Sequence, residues 1–341
     1  MDLESAFEEG FDEDMFSNMT NYNGTAGVNY PTRVVLAIAF LIMTVVGIVG
    51  NVFVIGAVIL SRRLQTPMNA FVVNLAVADL LACVTFPTQA ASLLVGYPVW
   101  LCVITALMDI TSLGCSLITI TLIAINRFIL ITKTKNVYQK MYTPMNLGIM
   151  IVIAWVIGPL CMILASSRVC GVYLVKHGAG YLSWLVPILL IATLVIILVC
   201  YILIFLFIKR HVARSMATSK RLDISITKNL LYVVCAFYAC VLPFTIVVST
   251  GRFFIPPAAL VTVETFFTVI LYMNSVVNPI IYAARHPIFK PIFVYMIKRQ
   301  WYNIPEPSRL AKSFGTDQRD GHSLDKSISS SVKTELTSAY V

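Results

Sequence analysis

Seven long apolar blocks govern what this chain can fold into. They run over residues 33–60, 69–95, 101–130, 146–166, 180–208, 226–250 and 258–282. Each is long enough to cross a hydrocarbon layer about 30 Å thick, which takes roughly 20 residues of helix. Only 12% of the 341 residues are charged, about half of what a soluble domain carries. In lipid every backbone N–H and C=O needs an internal partner, so blocks of this length fold as helices. The expected fold class is an all-α membrane protein: a seven-transmembrane helix bundle over 33–284. Glu264 and Asn274 interrupt the last block without dividing it.

Charge sets the orientation. Residues 1–32 hold seven acidic residues and no Lys or Arg, the wrong balance for a signal-peptide n-region. They carry two glycosylation sequons, at Asn18 and Asn23. With this end outside, an odd number of spans leaves the C-terminus inside. Arg33, Arg168, Lys176 and Arg252 are then the four basic residues on the outer side, against 21 on the inner side. That is the positive-inside bias of a multi-pass membrane protein with its N-terminus on the outer side; the plasma membrane is the expected location. The net charge of +9 follows from this topology and gives no reason to expect nucleic acid, because the inner basic residues are divided among four segments. Cys102 and Cys170 both fall on the outer side, where a disulfide between them is expected.

After the seventh block, Ile288, Phe289, Ile292, Phe293 and Met296 recur at helical spacing beside Arg285, Lys290, Lys298 and Arg299. This predicts a short amphipathic eighth helix in the membrane interface over 285–299. The polar segment 300–341, with Ser327, Ser329, Ser330, Ser331, Thr334 and Thr337, reads as a disordered cytoplasmic tail. It is either a phosphorylation target or a passive solvated end. His177, His211, His286 and His322 lie scattered through loops and tail, so no enzyme site is expected. Transporters built on inverted repeats and channels with charged rings are disfavoured, as neither feature is visible.

Polar residues inside spans are functional candidates by default. Here they form short motifs: GIVGN ending at Asn51, NLAVADL with Asp79, INRF around Arg127, Pro187 and Pro243 in the fifth and sixth spans, and NSVVNPIIY over 274–282. Together these resemble the rhodopsin-like (class A) G-protein-coupled receptors over about residues 30–299. LAVAD is similar to the family's LAxxD, and NSVVNPIIY matches NSxxNPxxY throughout. Cys102 precedes Arg127 by 25 residues, the family's spacing between its outer disulfide and its inner arginine.

The resemblance implies roles. Asp79, Ser116, Asn274, Ser275 and Asn278 would converge mid-membrane, around either an allosteric sodium ion or a water cluster; no enzymatic cofactor is implied. Arg127 would face a heterotrimeric G protein, with Asn126, Asp223, Phe237, Pro243, Pro279 and Tyr282 in the activation switch. Arrestin and receptor kinases would meet the tail. Three departures stand out. Asn126 replaces the acidic neighbour of Arg127, leaving Asp223 either as its partner or as a cap of the sixth helix. Val241 stands where the family usually has tryptophan, and Val195 where it usually has tyrosine.

Asp109 lies seven residues beyond Cys102, about 10 Å or two helical turns into the bundle. A central carboxylate costs about 2.5–3.5 kcal/mol on insertion scales, so it should face inward and have a partner. No Lys or Arg lies mid-span to supply one. In biogenic-amine receptors, which the chain resembles here, this Asp and a tyrosine at the place of Tyr272 hold the ligand's ammonium. Ser183, Phe244 and Leu113 complete the candidate ligand set. Two other readings remain open: a structural acid bonded only to Tyr272, or a peptide ligand drawn by the acidic N-terminus. The Asn-Arg-Phe motif resembles melatonin-type receptors, whose ligand is neutral, although those lack the aspartate. A non-signalling scavenger receptor of the same fold is the remaining alternative.

Overall fold

A computed structural model describes residues 28–96, 98–165, 168–169, 172–173, 185–211 and 218–314. Seven of its helical stretches are long and apolar enough to cross a membrane. The first is α1 (Tyr30–Leu60). Asn29 caps it, its Oδ1 accepting from Thr32 N at 3.0 Å, and Pro31 sits in the first turn, where its missing N–H costs nothing. A 3-10 turn over Arg62–Leu64 leads to Thr66, which caps α2 (Pro67–Cys83). The second span then breaks at Val84–Thr85 and resumes as α3 (Phe86–Leu94). Pro87 supplies the break, since it cannot donate to the preceding turn. The expected span 69–95 is thus met by Pro67–Leu94, crossing as two helices and not one.

The third span is α4 (Val99–Thr132), followed by the short α5 (Lys135–Met141). The fourth is α6 (Pro144–Ala165). A two-residue antiparallel pair, β1 (Arg168–Val169) with β2 (Val172–Tyr173), follows it. The fifth, sixth and seventh spans are α7 (Leu185–His211), α8 (Thr218–Phe254) and α9 (Pro257–Arg285), with Pro243 and Pro279 inside the last two. Because α8 begins at Thr218, Asp223 stands in its second turn, and the alternative of a helix cap is corrected. The amphipathic eighth helix is α10 (Phe289–Ile297), shorter than the expected 285–299. It buries Phe289, Ile292 and Phe293 and packs on α1, with Phe293 edge-on to Phe53 at 6.0 Å.

α4 is the most enclosed span and packs against α2, α6, α7 and α8. The lipid-facing sides are apolar, as at Ile42, Val152 and Ile202. Trp155 on α6 crosses to α2, donating Nε1–H to Asn74 Oδ1 at 2.8 Å, and Asn74 donates on to Thr119 Oγ1 at 2.8 Å. Interhelical bonds of this kind satisfy polar groups that have no water to turn to.

The tail departs from expectation. Residues 300–314, read from sequence as disordered, fold back beneath α1. Ser308 N donates to Leu60 O at 2.8 Å, Arg62 N to Glu306 O at 2.8 Å, and Ser61 Oγ to Pro305 O at 2.6 Å. Ile304 and Ala311 are the buried apolar residues of this strap, and Trp301 meets Phe314 at 5.5 Å. Two positive-φ residues, Arg299 at 54° and Glu306 at 49°, make the turns.

Candidate functional site

The break in the second span builds the first site. Where α2 ends, Thr85 turns its hydroxyl towards Asp109 on α4. Thr85 Oγ1 lies 2.5 Å from Asp109 Oδ1 and 2.7 Å from Ala82 O, sharing its single hydrogen between them. One turn on, Gln89 Nε2 donates to Asp109 Oδ2 at 2.9 Å and to the Tyr272 hydroxyl at 3.2 Å. Tyr272 on α9 donates to Asp109 Oδ2 at 2.5 Å. Asp109 is 9% exposed. The structure thus brings Asp109 and Tyr272 together and adds Thr85 and Gln89, which sequence reasoning missed. The available signal was Pro87, which marks a kink two residues from each. A carboxylate offers about four lone-pair positions, and these neutral donors leave room for another. Tyr272 is held from behind by Phe86 at 5.3 Å and Phe40 at 5.6 Å. Leu113 and Phe244 are half-buried on α4 and α8. Ser183 lies outside the described residues, as do Cys170, Asn18 and Asn23; Cys102 is disulfide-bonded.

A second cluster lies deeper. Asn278 Nδ2 donates to Asp79 Oδ2 at 2.8 Å, and both residues are buried. Asn51 Nδ2 donates to Ser275 O at 2.9 Å, tying α1 to α9 beside it. Asp79 Oδ1, Ser116 Oγ, Asn274 Oδ1 and Asn278 Oδ1 are buried without a hydrogen-bond partner. Among the described residues no three His, Cys, Asp or Glu gather as a metal cluster. The donors here are one carboxylate, amide oxygens and a hydroxyl, a set suited to a hard cation.

At the far end of α4, Asn126 is fully buried and donates Nδ2–H to the Tyr138 hydroxyl at 3.2 Å, tying α5 to α4 beside Arg127. Arg127 is 2% exposed. The side chain of Asp223 lies outside the described residues. Tyr201 on α7 comes within electrostatic reach of Arg127, whereas Val195 faces outward and is 52% exposed. Tyr282 stacks on Phe289 at 5.4 Å, and Phe237 is fully buried against Tyr238. Val241 is buried in the place where a larger ring was expected. Pro279 lies against α1 at Gly50, where an added Cβ would come within 2.7 Å of the proline ring.

The comparisons bear on this arrangement as a whole. Residues 50–282 match the model of the 7 transmembrane receptor (rhodopsin family). The chain is 28% identical over 293 residues to "Rhodopsin, GQ-coupled" of Mizuhopecten yessoensis; the match covers 75% of this chain and 58% of that protein, somewhat over half its length. It is 27% identical to "Somatostatin receptor type 2" of Sus scrofa, covering 90% of this chain and 86% of the receptor. The crystal structure of squid rhodopsin superposes with a TM-score of 0.67 at 19% identity, covering 85% of this chain and 92% of that one, which supports the fold. These receptors signal and are not enzymes, and the family implies an extracellular ligand and a heterotrimeric G protein. The matched span holds the inward carboxylates, the proline-broken helices and the arginine at the end of α4, so the chain belongs to the rhodopsin family of seven-transmembrane, class A G-protein-coupled receptors.

Proposed function

We propose that this receptor binds an extracellular ligand bearing a cationic amine, held by Asp109 with Tyr272, and activates a heterotrimeric G protein through the end of the bundle that carries Arg127. The observation that supports the reading most is the Asp109 cage. The partners given to this buried carboxylate, Thr85, Gln89 and Tyr272, are all neutral. They orient it without cancelling its charge, and a ligand ammonium would. Leu113 and Phe244 would wall the ligand, with Phe244 offering a cation–π face. Ser183 would meet a ligand hydroxyl or indole nitrogen. The test is G-protein activation in cells by a panel of amines, neutral indoles and basic peptides, with Asp109→Asn alongside. A primary-amine agonist should lose at least about 100-fold in potency on that variant. Undiminished potency would remove the anchor.

A peptide ligand is the second reading, favoured by the seven acidic residues of 1–32. In that case the basic peptides of the same panel activate and simple amines do not. A scavenger role is separated by Arg127→Ala, which abolishes signalling only in a coupled receptor. Glycosidase sensitivity at Asn18 and Asn23 tests the outward N-terminus, and the Cys102–Cys170 pair would hold the outer loop over α4.

The four orphaned oxygens around Asp79 fit a sodium ion, with Asp79, Ser116, Asn274, Ser275 and Asn278 as the residues that would hold it. A bound cation would supply the positive charge those acceptors face, linking α2, α4 and α9. Movement at Pro279, Tyr282, Pro243 and Phe237 would then open the Asn126–Arg127 end, with Asp223 as the opposing acid. Arrestin and receptor kinases would act at the tail beyond residue 314.

A further inference from the structure

A cavity of about 360 Å³ opens at the end of the bundle opposite Asp109, between the Arg62–Leu64 turn, α2, α4, α8 and the junction of α9 with α10. Among the described residues its lining holds two guanidinium side chains, Arg63 and Arg127, and no Asp or Glu. Thr66 and His286 add polar groups, while Leu130 and Ile226 supply an apolar wall. Small-molecule pockets run from about 300 Å³ upward. The space lies in that range.

His286 gives the cavity its direction. Its Nδ1 accepts the backbone N–H of Ile288 at 3.3 Å and of Phe289 at 3.2 Å. The ring proton is thereby assigned to Nε2. That Nε2–H is buried without a partner, on a residue 1% exposed. A buried donor left unmade costs about 1–3 kcal/mol, which an acceptor in the cavity would recover.

We propose that this cavity is a binding site for a phosphate monoester, whose oxygens accept from His286 Nε2–H and lie between the guanidiniums of Arg63 and Arg127, with its organic part against Leu130 and Ile226. A phosphate monoester carries close to two negative charges and three strong acceptor oxygens, matching two cations and one imidazole donor. The strap assists, because Arg62 N–H bonds to Glu306 O and so holds the turn that presents Arg63. The regulatory consequence rests on the proposed role of Arg127 at the G-protein face: an occupant that engages Arg127 competes with coupling. The same headgroup chemistry arrives either on a soluble metabolite or on a phosphorylated lipid.

The experiment uses the full-length receptor in phosphatidylcholine nanodiscs, without agonist or G protein, so its result is independent of the amine reading. Phenyl phosphate is titrated while the thermal unfolding midpoint is followed, with phenol as the neutral control. In a second arm the discs contain phosphatidylinositol 4-phosphate. Saturable stabilisation by phenyl phosphate and not by phenol is expected. Arg63→Gln, at an exposed position where folding is not at stake, should weaken it by about tenfold or more, as loss of a charged hydrogen bond does. His286→Asn should weaken it similarly. Stabilisation in the lipid arm, displaced by phenyl phosphate, assigns the source to the bilayer; stabilisation by the soluble ester alone assigns it to the cytosol. No saturable shift in either arm, or equal shifts in wild type and Arg63→Gln, overturns the proposal.

Discussion

Gly114 on α4 and Gly158 on α6 touch backbone to backbone: a Cβ added to Gly114 would stand 2.5 Å from the Gly158 carbonyl carbon and 2.7 Å from Pro159 N. Neither obstacle is a side chain that can swing away, so the crossing of the third and fourth spans depends on both hydrogens. Small residues at such crossings let helices approach where no hydrophobic drive exists between them. Gly158→Ala should therefore exceed the usual overpacking cost of about 1–3 kcal/mol and abolish surface expression. Gly148→Ala on the same helix meets nothing within 4 Å. It should be neutral or gain up to about 1 kcal/mol from helix propensity. Surface labelling and thermal unfolding of the two variants make the comparison.

The Asp109 cage makes a graded prediction. Gln89→Leu removes a donor to both Asp109 and Tyr272, and Thr85→Val removes the donor to the other oxygen. Each should lower agonist potency by about tenfold through misorientation, the worth of a hydrogen bond to a charged group, while receptor abundance stays near wild type. Concentration–response curves alongside surface counts check this. Loss of abundance with unchanged potency would mean that these residues serve folding alone.

Trp155 ties α6 to Asn74 through a single indole hydrogen bond. Trp155→Phe keeps the ring and removes the donor. It should cost about 1–3 kcal/mol, because the buried Asn74 Oδ1 is left without that donor, read as a lower unfolding midpoint in detergent. Trp155→Ala should cost several times more, because it also leaves a cavity.

His286, just beyond the seventh span, carries a pH prediction. Burial, and then the nearby positive charge of Arg127, push its pKa down from 6.5 to about 3. Between those values the unfolded chain binds a proton that the folded receptor refuses, so stability is full above about 6.5 and falls as pH drops below it. The slope from this group is at most about 1.4 kcal/mol per pH unit. Unfolding midpoints from pH 7 to pH 4.5 should therefore fall more steeply for wild type than for His286→Asn. Parallel profiles would show that His286 is charged in the folded receptor.

The spans and the residues at their motif ends were legible because lipid leaves a chain few choices. Asp79 and Asn278, 199 residues apart, meet as their motifs suggested. Thr85 and Gln89 were not legible. They lie in an apolar run that a hydropathy pattern reads as one helix, and the break depends on where Pro87 falls against the preceding turn. Their separation from Asp109 by 24 and 20 residues leaves no local trace. The strap was hidden for a different reason. Its turns use positive φ at Arg299 and Glu306, where no glycine or asparagine announces them, and Pro305 and Pro307 look like ordinary linker residues.

That strap fixes the point from which the rest of the chain departs. Were the tail loose from residue 300, Ser327 could swing about 90 Å from the end of the eighth helix at full extension. Moored as far as Phe314, it is leashed to a point under the first helix, with a reach of about 45 Å. The enzymes and adaptors proposed to act on those hydroxyls would then meet the chain at one corner of the bundle.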